Sequence, residues 1–148
     1  MIRLSKLADY SFVLLSQMVR GEKDSWSASE LSALTTLPLP TVAKLMKQLA
    51  KAGIVSGQRG SRGGYRLAAP ADHISISRIV EAVDGPIALT DCIDESEPDC
   101  AVMSSCPMHG GWERVNAAVR AALEEIFLSD LAAGCPCRRE KAADSLSG

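Results

Sequence analysis

The feature that most constrains the fold of this chain is a glycine-rich segment, residues 57–64, between two short apolar runs. The segment reads Gly-Gln-Arg-Gly-Ser-Arg-Gly-Gly, which is too rich in glycine for a helix and suits the tip of a β-hairpin. The flanking runs, residues 54–56 and 65–67, are of a length that favours its two strands. We therefore expect a small hairpin near the middle of the chain, with Arg59 and Arg62 at its tip.

Three helices are predicted ahead of this hairpin. The first spans residues 7–19, and the second is short and opens at Ser27 and Glu30, which have the spacing of a capping box. The third runs from about residue 41 to 52 and stops at Gly53, a residue type that favours helix ends. Three helices followed by a hairpin is the order of a winged helix-turn-helix domain. The predicted fold class is therefore mainly α with a small β-hairpin wing.

Charge along the chain favours a nucleic-acid partner for this domain. Residues 1–70 carry ten basic and four acidic residues, a net charge of +6, whereas residues 71–111 carry one basic and eight acidic residues, a net charge of −7. A lysine face on the third helix would by itself fit simple solvation, but an arginine-bearing tip that suits a narrow minor groove follows it. We expect double-stranded DNA, with the start of the third helix at base edges and its later lysines at phosphates. The predicted contact residues are Thr41, Lys44, Lys47, Lys51, Arg59 and Arg62.

A cluster of thiol and imidazole side chains follows the basic region. Cys92, Cys100, Cys106 and His109 fall within eighteen positions of a loop that also carries prolines, glycines and acidic residues. Thiolate and imidazole ligands suit zinc or an iron–sulfur cluster, and not calcium or magnesium. The spacing leaves both zinc and an iron–sulfur cluster open.

The rest of the chain is assigned by its helical patterns. A short helix is predicted from about residue 75 to 83, and the longest helical pattern, residues 112–131, has an apolar side that needs a partner surface. The predicted division is a DNA-binding domain at residues 1–85, a cysteine-rich loop at 86–111, a long C-terminal dimerisation helix at 112–133 and a flexible polar tail at 134–148. Cys135 and Cys137 are interpreted as incidental thiols of that tail, with a metal site or a strained disulfide as the alternatives.

Composition excludes several classes of protein. The cysteine count of five is odd, no secretory signal opens the chain, and no apolar run approaches the length of a membrane span. A cytoplasmic protein with reduced thiols and no membrane partner is therefore expected. No nucleotide fingerprint, catalytic triad or substrate-pocket motif is present, which predicts a protein that is not an enzyme and has no small-molecule substrate.

The motifs resemble one family of bacterial regulators. The segments Leu4–Tyr10, Leu49–Val55, Arg59–Tyr65 and Ile79–Gly85, together with the cysteine loop and its final Cys-Pro-Met-His, are similar to the Rrf2 family over about residues 1–132. Residues 37–45 and 85–92 look most like the branch that regulates SUF iron–sulfur assembly operons.

The resemblance implies a homodimer and a cofactor. Family members with three cysteines in this loop hold an iron–sulfur cluster there, and the matching positions are Cys92, Cys100 and Cys106. The fourth ligand would be His109, as in some 2Fe-2S members, or Asp9 of the opposite subunit, as in 4Fe-4S members. We favour His109 and a 2Fe-2S cluster. The seven residues between the first two cysteines are a longer spacing than in the best-known members.

The leading hypothesis is a repressor that senses iron–sulfur clusters and controls genes of cluster assembly. One alternative is a DNA-binding regulator with structural zinc or a thiol redox switch in the loop. The other is a small iron–sulfur redox protein.

Overall fold

Six α-helices and one antiparallel hairpin make up the computed structural model, which describes residues 3–60, 63–93, 100–108 and 110–134. The helices are α1 (Lys6–Arg20), α2 (Ala28–Thr35), α3 (Leu39–Lys51), α4 (Ile76–Asp84), α5 (Gly111–Glu124) and α6 (Leu128–Ala132), and the strands are β1 (Val55–Gln58) and β2 (Gly64–Leu67). The predicted order of three helices and a hairpin is confirmed. Arg62, His109 and the tail cysteines Cys135 and Cys137 lie outside the described residues. No helix in the described ranges combines the length and apolarity needed to cross a bilayer.

The core is aliphatic, as an aromatic content of 4% requires. It is built where α1, α2, α3 and α4 meet and is closed by α6. The largest fully buried side chains are Leu14, Leu15, Leu31, Val42, Leu45, Met46, Leu49, Val55, Ile54, Ile74, Ile79 and Leu128. The four of these in α3 recur at helical spacing, so the predicted inward face of the third helix is confirmed.

The predicted capping box fixes where α2 begins. Ser27 Oγ accepts the backbone N–H of Glu30 at 3.1 Å, and the Glu30 carboxylate accepts the backbone N–H of Ser27 at 2.9 Å. The Lys23 ammonium also donates to the Glu30 carboxylate. These bonds, that of Lys23 first, lower the pKa of Glu30 to about 2 because they stabilise its charged form. The start of the helix-turn-helix is therefore set by local bonds.

The hairpin is anchored to the turn before α2. Strands β1 and β2 pair from Val55 with Leu67 to Gln58 with Gly64. Trp26 adds a third segment, since its backbone N–H donates to the Tyr65 carbonyl at 2.8 Å and its carbonyl accepts the Tyr65 N–H at 2.7 Å. A Cβ on Gly64 would lie 2.9 Å from the Trp26 carbonyl oxygen, so this close approach requires glycine. The wing is thus attached to the helical core from one side.

The prediction of one continuous helix over residues 112–131 is wrong. Helix α5 ends at Glu124, and the chain then runs extended through Phe127 before α6. Backbone bonds hold this extended segment: the Ile76 N–H donates to the Ile126 carbonyl at 2.9 Å, and the Leu128 N–H donates to the Ile74 carbonyl at 2.8 Å. The break lets Leu128 reach the core, where its side chain is fully buried. The helical spacing of apolar residues continues across the break between α5 and α6, so the sequence pattern did not indicate that α5 ends at Glu124.

We expect Ser27→Ala to lower the free energy of unfolding by about 1 kcal/mol, because an N-cap hydroxyl bonds an otherwise unpaired helix N–H. Chemical denaturation followed by circular dichroism measures the change. Ser29→Ala is the matched control, since Ser29 is exposed in the first turn of the same helix. Equal stabilities of the two variants would contradict the assignment of the cap.

Candidate nucleic-acid interface and cysteine loop

Helix α3 presents a basic face opposite its buried stripe. Lys44, Lys47 and Lys51 are exposed, and Thr41 is half-buried near the start of the helix. The helix begins at Leu39, about two residues earlier than predicted, because Pro40 occupies its first turn, where a missing N–H costs no hydrogen bond. The predicted lysines therefore lie on one exposed side of a helix whose other side is locked into the core.

A cleft joins α3 to the wing. It has a volume of about 360 Å³ and is lined by Lys47, Ala50, Gly57, Gln58, Arg59, Gly64 and Tyr65. Two cations from different elements thus share one concave surface. The ion pairs found in the described ranges involve Lys23, His73 and Arg120, so no described acid neutralises the cations of this cleft. Unpaired cations in a groove suit the phosphates of a nucleic acid.

Two residues of the cleft with polar side chains, Gln58 and Tyr65, were not among the predicted contacts. Gln58 is exposed on β1, and the Tyr65 ring stands over Gly57, where an added Cβ would lie 3.5 Å from the ring. Both lie next to the turn of the hairpin. The predicted hairpin places Tyr65 opposite Gly57, and this pairing could have identified Tyr65 as a residue of the cleft.

The three predicted cysteine ligands lie in the connection between α4 and α5. Cys92, Cys100 and Cys106 are free thiols and are half-buried. A 3-10 turn, Met103–Ser105, separates the last two, and the Met103 N–H donates to the Cys100 carbonyl at 3.1 Å. Thr90 Oγ1 lies 3.1 Å from Cys92 Sγ, within hydrogen-bond distance. The loop therefore has local order on both sides of the undescribed residues 94–99.

The described residues do not assemble a complete metal site. Nowhere in the described ranges do three His, Cys, Asp or Glu side chains approach closely enough to hold a metal ion. His109 falls outside those ranges, and Asp9 is exposed in the first turn of α1. In donor chemistry the three thiols fit a cluster or zinc, since thiolate is the ligand that both prefer.

Asn116 holds the start of the cysteine loop against α5. The side chain is 9% exposed, its Oδ1 accepts the Leu89 N–H at 3.1 Å, and its Nδ2 donates to the Ile87 carbonyl at 2.8 Å. A buried amide is stable only when its polar atoms are hydrogen-bonded. These two bonds join α5, which follows the loop, to the residues at which the loop begins. Sequence reasoning missed Asn116, although an amide within an apolar helical pattern was a usable signal.

A second polar contact links α5 to α4. Arg120 Nη2 lies 3.5 Å from the Glu81 carboxylate, and Arg120 Nε donates to the Glu124 carboxylate at 3.0 Å. Glu81 in turn lines a cleft with Gln48 and Lys51 of α3. The cysteine loop, α5, α4 and α3 are therefore in successive contact.

A helix-turn-helix with an attached wing, whose cations on α3 and at the wing have no acidic partner among the described residues, defines the class of winged-helix DNA-binding regulators. The Rrf2 family model, described as an iron-dependent transcriptional regulator, matches residues 4–134. The chain belongs to the Rrf2 family.

Relatives support the same class. The chain is 29% identical over 118 residues to the HTH-type transcriptional regulator IscR of Vibrio atlanticus, covering 80% of this chain and 67% of that protein. It is 31% identical over 127 residues to Protein aau3 of Rhizobium meliloti, covering 85% and 77%. The IscR relative and the family model confirm a DNA-binding transcriptional regulator that is not an enzyme.

Solved structures confirm the fold. CymR (YrzC), the global cysteine regulator of B. subtilis, superimposes with a TM-score of 0.67 at 25% identity, covering 90% of this chain and 98% of that one. IscR of T. potens superimposes with a TM-score of 0.61 at 23% identity, covering 88% and 85%, which speaks for the fold alone. The predicted winged-helix class is confirmed.

We expect Lys47→Ala to weaken binding to every DNA duplex by a similar factor, because a phosphate contact carries no sequence information. The slope of log affinity against log salt should fall by about one for each protomer bound. Fluorescence anisotropy at several salt concentrations measures both, with Arg78→Ala as control, since Arg78 is an exposed cation of α4. An unchanged salt slope would remove Lys47 from the interface.

We expect Asn116→Ala to release the loop start, because it leaves a backbone N–H and a carbonyl without their partners. Such a loss costs about 1–3 kcal/mol. Hydrogen exchange at the Leu89 amide is the direct measurement: the amide should be protected in the parent protein and exchange faster in the variant. Arg114→Ala, an exposed change on the same helix, should leave that amide protected. Unchanged exchange in Asn116→Ala would contradict the proposed attachment.

Proposed function

We propose that this chain is a cytoplasmic regulator, acting as a repressor, that senses iron–sulfur clusters through its cysteine loop and controls genes of cluster assembly. The observation that carries the proposal is the placement of three free thiols in the single connection between α4 and α5. The IscR relatives and the iron-dependent description of the family support it. The likeness of residues 37–45 and 85–92 to the SUF branch supports assembly genes as the targets.

The proposed ligands are Cys92, Cys100 and Cys106, with His109 as the fourth and Asp9 of a second copy as the alternative. A bound cluster would supply covalent links among the thiols and sensitivity to oxidation. His109 would belong to a 2Fe-2S site within one chain, which needs no carboxylate from elsewhere. We therefore propose a 2Fe-2S cluster.

The chain's own contacts offer a route from the loop to DNA. Asn116 attaches the loop start to α5, Arg120 of α5 contacts Glu81 of α4, and α4 packs against α3. A change in loop order would therefore act on the helix that we propose to read DNA. The loop must favour one arrangement of α4 and α5 over another for this to alter affinity.

A homodimer is part of the proposal. Helix α5 exposes Trp112 and Val115, and the segment after it exposes Ile126 and Leu131. Exposed apolar residues on one arm favour a protein partner, and a second copy gives a closed, symmetric assembly. Two reading helices would then meet successive major grooves, so the operator should be an imperfect palindrome.

A thiol switch or structural zinc is the second candidate. It is favoured by donor chemistry, because three half-buried thiols in one loop suit zinc or reversible oxidation as well as a cluster.

Anaerobic purification separates the candidates. We expect a brown protein with stoichiometric iron and sulfide, and loss of both in Cys92→Ser, Cys100→Ser and Cys106→Ser. Cys135→Ser is the matched control, because it removes a thiol from the tail and should keep the cluster. Colourless protein containing zinc, or protein with neither metal, would overturn the proposal.

The fourth ligand is decided by the same preparation. His109→Ala and Asp9→Ala are compared by absorption and electron paramagnetic resonance spectra, and only the ligand's variant should change them. If the spectra change in Asp9→Ala and not in His109→Ala, the fourth ligand is Asp9 and not His109.

A further inference from the structure

Cys92 has a side-chain neighbour with no role so far in the proposed cluster site. The Thr90 hydroxyl oxygen lies 3.1 Å from Cys92 Sγ, and both side chains are half-buried. In the free protein either atom can be the donor, because the thiol and the hydroxyl each carry a proton. The direction of this hydrogen bond therefore depends on whether the thiol keeps its proton.

The backbone around this contact is held from two sides. Residues 90–93 form a turn in which the Thr90 carbonyl accepts the Ile93 N–H at 3.0 Å. The residue before the turn, Leu89, donates its N–H to Asn116 Oδ1 at 3.1 Å. Because the contact depends only on residues 90–92, closing the rest of the loop does not require it to break.

Binding of a metal centre fixes the direction of the hydrogen bond. A cysteine binds metal as the thiolate, which has lost its proton, so the Thr90 hydroxyl is then the only donor of the pair. A donated hydrogen bond withdraws negative charge from the thiolate sulfur. Hydrogen bonds to the ligand sulfurs are among the factors that set the reduction potential of an iron–sulfur cluster.

We propose that Thr90 is a positioning residue whose hydroxyl donates to Cys92 Sγ and stabilises the reduced, more negative state of the bound cluster. This rests on the proposed function, and it assigns to the loop a residue that tunes how readily the cluster is reduced. Reduction adds one electron from a reductant, and no covalent bond forms or breaks. The hydrogen bond is stronger to the more negative state, so it raises the reduction potential.

Two pairs of proteins that differ by one hydroxyl test the proposal. Thr90→Val keeps the branched shape of threonine without its hydroxyl, and Thr90→Ser with Thr90→Ala repeats the comparison with smaller side chains. The reduction potential of the full-length, anaerobically purified protein is measured by absorption in the presence of redox mediators. We expect the hydroxyl to raise the ratio of reduced to oxidised cluster by roughly fivefold in each pair. For a one-electron couple this ratio is a shift of about 40 mV.

Ser105→Ala is the matched control, because it removes a hydroxyl from the same loop. Ser105 is exposed, and its Oγ lies 3.5 Å from the Val102 carbonyl oxygen, so its described partner is not a cysteine. The potential should stay at the value of the parent protein. An equal fall in Ser105→Ala, or equal potentials within either Thr90 pair, would overturn the proposal.

The outcome for Thr90 is separable from that of the proposed cluster. If the anaerobic parent protein contains no iron and sulfide, both proposals fail. If it contains a cluster whose potential is the same with and without the hydroxyl, only the inference about Thr90 fails. If Thr90→Val and Thr90→Ala lose the cluster while Thr90→Ser keeps it, the hydroxyl is needed to bind the cluster, and the proposed tuning role is wrong.

Discussion

Burial of the apolar stripe of α3 is the interaction on which the rest of the structure depends. Val42, Leu45, Met46 and Leu49 are fully buried, so one orientation of the helix about its axis is strongly preferred. Rotating the helix would expose four large aliphatic side chains, each worth about 1.5–3 kcal/mol when buried. That cost keeps the lysine face outward. The arrangement that stabilises the domain therefore also determines which face of α3 is exposed.

The second constraint is the way the C-terminal arm returns to the domain. Helix α5 leaves the cysteine loop, yet the segment after it pairs with residues 74–76 and buries Leu128 in the core. The arm is therefore anchored at both ends, through Asn116 and Arg120 at α5 and through α6 against α1. Under the proposed function, a change in the loop would act on an arm that is held at both of these places. This makes the connection between α4 and α5 a suitable place for a sensor.

How well the sequence predicted each part of this structure depends on how far apart in the chain the interacting residues lie. The α2 cap, the inward stripe of α3 and the hairpin depend on residues a few positions apart, and all were predicted correctly. The end of α5 depends on backbone bonds between residues 74–76 and 126–128, which no local pattern contains. Asn116 was missed for a similar reason, since its partners precede it by more than twenty-five positions. For the site, three thiols were predicted in one loop and are found there, whereas their role as ligands stays a prediction.

The separation of the three thiols is relevant to how the cysteine loop could act as a sensor. A site fully preformed by the chain would keep its shape when its ligand left, and a regulator built on it would gain no signal. Here the 3-10 turn orders the end of the loop and Asn116 orders its start, while the described residues bring no three ligands together. Under the proposed function, closing the loop would draw on the binding free energy of the cluster, as metal binding and folding are coupled in small metal-binding domains. Loss of the cluster would then remove that free energy, and the contacts of Asn116 and Arg120 would be the first to register the change.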